Sequence, residues 1–279
     1  MVNVPYRAAT YLARWNRRRF IERCSRLPAV APSAKIPATV YSFSGENDWP
    51  EQAASIRSFL RFVGEPERFL VVSDGTHTPD ARKRLEQLNP SVSVVSLNSV
   101  IRSSLPARIE KYAAEHFLGK KLSLLYSIPV DGPTVYADSD ILFFPGADTL
   151  GRLLRSPLPT SLYLLDCWPS LDDRLFISEE EKELPVNGGF LIFNRPLDWS
   201  SALERLDRMP GECVFFTEQT LVHLTMRGNG ARPLPASEYI LRAEDQFHFS
   251  DQYAGQRIAL RHYISSIRTK LWRQVHLFS

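Results

Sequence analysis

Residues Thr134 to Phe144, TVYADSDILFF, constrain the fold more than any other stretch of the chain. Val135, Tyr136 and Ala137 read as the end of a buried strand, and Ile141 to Phe144 form a second apolar run. Between them stand Asp138 and Asp140, so packed interior flanks two carboxylates from both sides. Buried carboxylates persist only when paired, hydrogen-bonded or bound to a metal. Where a strand breaks into a turn, the first aspartate can reach a ligand's hydroxyls while the second grips a cation. The plainer alternative is a surface Asp-Ser-Asp turn, since both residue types favour turns.

The segments upstream alternate in type. Ala38 to Phe43 is a β-branched and aromatic strand that runs into the polar loop Ser44 to Asp48. Trp49 to Val63 carries apolar residues at helical spacing with Pro50 near its start. Phe69 to Thr76 reads as a strand, the polar stretch to Leu88 as a helix, and Val92 to Leu97 as another strand. This alternation predicts parallel pairing and a doubly wound sheet. Ligands of such sheets sit beyond the carboxyl ends of the strands, so Ser42, Phe43, Ser44 and Asp74 are expected near a nucleotide. No Gly-x-Gly-x-x-Gly or Walker sequence is present, which argues against a dinucleotide or P-loop site. Ile109 to Ile128 reads as one long helix with Tyr112, Phe117, Leu122, Leu125 and Tyr126 inward. Further on, Ala147 to Ser156 reads as a helix, Ser161 to Asp166 as a strand and Leu171 to Glu183 as an acidic, irregular segment. Asp166, at its strand end, is placed either to meet a ligand or to close a turn.

Three later stretches carry candidate chemistry. Pro185-Val186-Asn187-Gly188-Gly189 precedes the apolar run to Phe193, and paired glycines suit either a hairpin turn or a close approach to the backbone. Thr217-Glu218-Gln219 opens a helical pattern, with Thr217 as a candidate cap. His262-Tyr263 follows an apolar strand and precedes Arg268, Lys270 and Trp272; a lone histidine is more often structural than a ligand.

Taken in order, Tyr136-x-Asp138-x-Asp140, Asn187-Gly188-Gly189, Glu218-Gln219 and His262-Tyr263 resemble the motifs of GT-A-fold glycosyltransferases. They look most like family eight, the glycogenin and lipopolysaccharide galactosyltransferase group, over about Ala38 to Trp272. That resemblance implies a Rossmann-like, mixed but mainly parallel α/β sheet flanked by helices. It implies a metal site of Asp138, Asp140 and His262, with Tyr136 and Asp138 against the nucleotide and Lys121 facing the sugar or its phosphates. It sets Gly188 and Gly189 beside the donor sugar, Asn187, Glu218 and Gln219 near the reacting centre, and Asp166 near the acceptor. Arg268 or Lys270 is expected on the diphosphate. Glu218 stands where the family usually has Asp, a glycine is missing after His262-Tyr263, and Leu271 replaces a proline. Carboxylates with one imidazole suit Mn²⁺ first and Mg²⁺ second. The implied reaction is a retaining transfer from a nucleotide-diphosphate sugar, a UDP-sugar, to a glycan, lipid-linked or protein acceptor. A non-catalytic carbohydrate-binding or scaffold protein and an Asp-x-Asp magnesium phosphohydrolase are the alternative readings.

Composition bounds the setting. With 279 residues, 44% hydrophobic and 23% charged, the chain can build one large α/β domain. Its formal net charge of +3 gives no argument for nucleic acid. Cys24, Cys167 and Cys213 lack disulfide or zinc spacing, no apolar run nears the roughly 20 residues of a membrane span, and no secretory signal is evident. A cytoplasmic location is therefore expected. Met1 to Pro28 holds seven arginines against Glu22 with interleaved apolar residues. It reads as a basic amphipathic helix that either docks on its own domain or meets an anionic inner membrane face or a partner groove. Residues 1–37, this helix and a Pro-containing linker, are expected apart from the domain at 38–279.

Overall fold

The computed structural model describes residues 4–168 and 170–278. The chain runs α1 (Val4–Arg23), β1 (Lys35–Ser44), α2 (Trp49–Phe62), β2 (Glu65–Ser73), α3 (Pro79–Glu86), β3 (Val92–Ser96), α4 (Ala107–Glu115), α5 (Phe117–Ser127), β4 (Thr134–Ala137) and β5 (Ile141–Phe143). It continues through α6 (Asp148–Leu154), β6 (Leu162–Leu165), β7 (Val186–Phe193), α7 (Ser200–Arg208), α8 (Thr217–Gly228), β8 (Arg232–Pro233), β9 (Tyr239–Ile240), β10 (Leu260–His262) and α9 (Arg268–Leu271).

The main sheet has the order β3-β2-β1-β4-β7-β6-β8. Pairing is parallel from β3 through β2 and β1 to β4, and antiparallel from β4 to β7 and from β7 to β6. The mixed, mainly parallel sheet read from the sequence is the observed one. After β3 the chain returns to the other side of β1, so strand order reverses between β1 and β4. That reversal opens a crevice at the carboxyl ends of the two strands, where ligands of open α/β sheets bind.

Strand alternation sends neighbours to opposite faces. Val40, Val135 and Phe190 enter one core, with Phe59 meeting Phe143 edge to face at 5.0 Å between ring centroids. Tyr41, Tyr136 and Leu191 enter the other, beneath α5 and α8, with Leu122 and Leu221. A second, three-stranded sheet, β5-β10-β9, lies beyond the turn at Asp138. Antiparallel pairing sets His262 opposite Ile141 and Arg261 opposite Leu142.

Several boundaries differ from the sequence reading. The single helix expected over Ile109 to Ile128 is two, because His116 turns to extended geometry (φ −144°, ψ 140°) and its ring Nδ1 accepts from Leu118 N at 3.1 Å. The break shifts the phase of α5 relative to α4, and Phe117, expected inward, is exposed. The paired glycines lie inside β7, not ahead of it, and every residue of that strand is buried. Thr217 does not cap α8: its hydroxyl accepts from Val214 N and donates to Asp172.

The helix at the N-terminus is joined to the domain. Met1 to Asn3 of the expected helix lie outside the described residues. Phe20 packs against Trp272 and Phe278, with centroids 5.3 and 5.5 Å away, and Ala13 and Cys24 share the same core. Asn16 Nδ2 donates to Trp272 O, and Arg17 forms an ion pair with Glu51 at 2.7 Å. The boundary expected at residue 38 falls inside β1, which begins at Lys35.

Candidate metal centre

β4 ends at Ala137, and the chain turns through Asp138-Ser139-Asp140 before β5. Asp138 N still reaches back to Gly189 O on β7 at 2.8 Å, so the first aspartate is held at the carboxyl end of the central strand β4. Tyr263 N donates to Asp140 O at 2.9 Å and thereby brings the neighbouring His262 beside the second aspartate. Ligand atoms of Asp138, Asp140 and His262 all lie within 4.8 Å of one another. The three residues are thus assembled by sheet register.

The orientation of His262 can be read from its partners. Asn187 Oδ1 accepts from Gly189 N at 3.0 Å and lies 2.9 Å from His262 Nδ1. Its Nδ2 donates to Asp166 Oδ2 at 3.0 Å, so the amide cannot be turned over without setting donors against a donor. Nδ1 therefore carries a proton, and Nε2 is the nitrogen that faces Asp140 Oδ1, 3.1 Å away, and Asp138 Oδ2, 3.9 Å away. Two carboxylates and an imidazole nitrogen thus converge, and hard oxygens with one imidazole fit Mn²⁺ or Mg²⁺.

β7 accommodates this ring only because it lacks a side chain at one point. A Cβ on Gly189 would stand 2.3 Å from His262 Cε1, and one on Gly188 would stand 3.1 Å from Glu218 Oε1. The close approach that the glycine pair suggested is therefore made by two protein side chains.

Cations surround the aspartates. Arg268 Nη2 pairs with Asp140 Oδ2, and its Nη1 lies 3.4 Å from Asp48. Burial alone would raise the Asp140 pKa, but His262 and Arg268 outweigh it and hold the carboxyl well below its usual range. Lys121 Nζ lies 3.0 Å from Asp138 Oδ2 and 3.8 Å from Glu218 Oε1. Tyr136 OH donates to Asp138 Oδ1 at 2.7 Å. Burial works against the Lys121 charge, yet Asp138 and Glu218 prevail and raise its pKa. Glu218 is itself buried, its Oε1 has no hydrogen-bond partner, and burial pushes its pKa up to about 7 despite Lys121.

A cavity of about 510 Å³ opens onto this cluster. Lys121, Asp138, Asp140, His262 and Arg268 line one part, and Asp166, Asn187, Gly189, Glu218 and Gln219 another. Asp166 Oδ2 accepts from both Asn187 Nδ2 and Gln219 Nε2, each at 3.0 Å, and Asp166 Oδ1 accepts from Trp168 N. Gln219 Nε2 also donates to Ser170 O at 3.1 Å, tying the loop after β6 to the head of α8.

Other sequence candidates sit elsewhere. Lys270 Nζ donates to His248 O and Ser250 O and lies 3.4 Å from Asp245, buried and turned from the cavity. Ser42 Oγ donates to Gln52, and Asp74 closes a turn with Thr76, so neither lines the cavity. Phe43 packs against the core on the Tyr41 face. Ser44, at the carboxyl end of β1, keeps a buried hydroxyl without a hydrogen-bond partner. The sequence reading missed the apolar mouth, where Phe117, Trp168, Phe215 and Phe216 are exposed around the opening. The adjacent aromatics Phe215-Phe216, just ahead of Glu218, were the available signal.

No protein-family model matches the sequence, and no curated protein matches it. Solved structures do resemble it. The galactosyltransferase LgtC, in complex with donor and acceptor sugar analogs, superposes with a TM-score of 0.56 at 13% identity, over 86% of this chain and 94% of that one. The bifunctional glycosyltransferase WbbM superposes with a TM-score of 0.54 at 16% identity, over 85% of this chain and 47% of that one. Mouse xyloside xylosyltransferase 1 gives a TM-score of 0.53 at 12% identity, over 84% of this chain and 99% of that one. These likenesses establish the GT-A glycosyltransferase fold that the sequence motifs imply.

Proposed function

We propose that this chain is a metal-dependent glycosyltransferase that moves a sugar from a nucleotide-diphosphate sugar, a UDP-sugar, to a glycan, lipid-linked or protein acceptor with retention. The observation that carries the reading is the convergence of Asp138, Asp140 and His262 Nε2 at the carboxyl end of β4, on the wall of a cavity with further polar groups.

Asp138, Asp140 and His262 would hold Mn²⁺ or Mg²⁺, which when bound supplies positive charge to a diphosphate leaving group. The chain's own groups have distinct parts. Arg268, a long cation beside the aspartates, offers a second charge to the diphosphate. Lys121, held between Asp138 and Glu218, presents an ammonium to the donor. Asp166 and Gln219 are locked to each other and to the loop after β6; with both Gln219 Nε2 hydrogens taken by Asp166 and Ser170 O, they offer acceptors, Asp166 Oδ1 and Gln219 Oε1, to sugar hydroxyls. Asn187 orients His262 and touches Asp166, so it is a positioning residue. Glu218, whose burial raises its pKa to about 7, can in its protonated form donate a hydrogen bond from the cavity wall. Retention is what the motif resemblance implies, and such a transfer needs no strong protein base because the departing diphosphate can take the acceptor's proton.

The test is release of UDP from a panel of UDP-sugars with Mn²⁺, with EDTA, and in Asp140→Ala. Metal-dependent release lost in the variant is the expected result. Phosphate release from monoesters would favour a phosphohydrolase, and neither activity a scaffold.

A further inference from the structure

Helix α1 has two apolar faces, and only one is used by the fold. Ala9, Ala13, Phe20 and Cys24 are buried, whereas Tyr11, Leu12 and Trp15 are 76, 36 and 45% exposed. At i, i+1 and i+4 those three residues form one stripe on the outside of the helix. Arg7, Arg14, Arg18 and Arg23 are exposed around it, and the Arg19 guanidinium stacks over the Trp15 ring at 4.3 Å. Glu22 is the sole acid of the helix, and it is paired with Arg18. Exposed Phe247 meets Tyr6 at 5.7 Å between centroids, and Arg273 stacks on exposed Phe249 at 4.0 Å, so the same chemistry continues beside the helix.

We propose that this outward face of α1 docks on an anionic membrane surface. Tyr11, Leu12 and Trp15 enter the headgroup region, where amphipathic aromatics are favoured, and the arginines meet lipid phosphates in forked hydrogen bonds. Charge selects the occupant: a second copy would set arginine against arginine, whereas a phosphate plane complements every charge but Glu22. The face belongs to a helix anchored by Phe20 and Asn16 to the segment that bears Arg268 and Trp272, and Arg17 holds Asn47 O and Glu51. Docking would thus present the donor cavity close to the lipid surface. The inference does not depend on the transfer reading, and its test uses no nucleotide.

The experiment is co-sedimentation of the full chain with phosphatidylcholine vesicles and with vesicles containing 30% phosphatidylglycerol. Truncation would strip Phe20 from the core, so outward residues are changed instead. The wild type should partition onto the anionic vesicles, only weakly onto the neutral ones, and lose binding in about 0.5 M salt, where screening is strong. Tyr11→Ser with Leu12→Ser and Trp15→Ser should lower partitioning at least about tenfold at an unchanged melting temperature. Arg14→Glu alone should lower it about fivefold or more, since each basic residue near the surface contributes on that scale. Equal binding to both vesicle types, no binding to either, or unchanged partitioning of the triple variant overturns the proposal. A dimer in solution that the triple variant dissociates, without vesicle binding, would replace it with self-association.

Discussion

Asn187 Oδ1 lies 2.9 Å from His262 Nδ1 while also accepting from Gly189 N, and this shared oxygen turns Nε2 of the imidazole toward Asp138 and Asp140. A backbone N–H in β7 thereby helps orient a side chain on β10.

Asn187→Ala should weaken Mn²⁺-dependent nucleotide binding about 10- to 100-fold, the usual cost of losing a partner behind a metal ligand. Isothermal titration reads it directly. Unchanged affinity would mean that His262 needs no such support.

Gly189→Ala should be the most damaging single-methyl change at the site. Its Cβ would stand 2.3 Å from the His262 ring, so the ring would have to leave its place between Asn187 and Asp140, whereas Gly188→Ala meets only the end of Glu218 at 3.1 Å. Melting temperature and metal affinity should both fall in the first variant and change little in the second. The reverse ranking would contradict the packing described.

Glu218 gives a pH signature. Its folded pKa of about 7 lies above the ordinary 4.5, so the stability it contributes is fully present below about pH 4.5 and is lost as pH rises through 7. Glu218→Gln keeps the neutral shape without the titration. Denaturant unfolding at pH 5 and pH 8 should show the wild type losing stability relative to the variant, by on the order of 3 kcal/mol. Parallel pH profiles would show that Glu218 is not held neutral.

Lys270 and Arg268 should separate cleanly. Lys270→Met removes hydrogen bonds to His248 O and Ser250 O and should cost about 1–3 kcal/mol in unfolding free energy while leaving UDP affinity unchanged. Arg268→Ala should lower UDP affinity about tenfold, and it should also cost stability by taking the guanidinium from the buried Asp140 carboxylate. An exchange of these two phenotypes would assign the diphosphate to Lys270.

Much of this arrangement could be read along the chain because local patterns and long-range pairing agree. The interrupted run around Asp138 and Asp140 marks the end of a central strand, and alternating strands and helices dictate the parallel half of the sheet. Asn187, Gln219 and His262 were legible by motif order, although only the fold shows Asn187 behind the histidine. Lys270 was not separable from Arg268, because spacing cannot say that α9 turns the lysine toward Asp245. The break at His116 was hidden for a related reason: apolar residues keep a helical period on both sides, and one extended residue shifts the phase. The glycines of β7 signalled a close approach, but which side chain makes it depends on β10, about 70 residues later in the sequence.

If Asp138, Asp140 and His262 hold a divalent cation for a nucleotide diphosphate, titration of UDP into the protein with and without Mn²⁺, repeated on Asp140→Ala, reads it most directly. The predicted result is binding that requires the metal and disappears in the variant. UDP binding that is indifferent to Mn²⁺ and survives Asp140→Ala, or no binding to the wild type in either condition, would contradict this assignment.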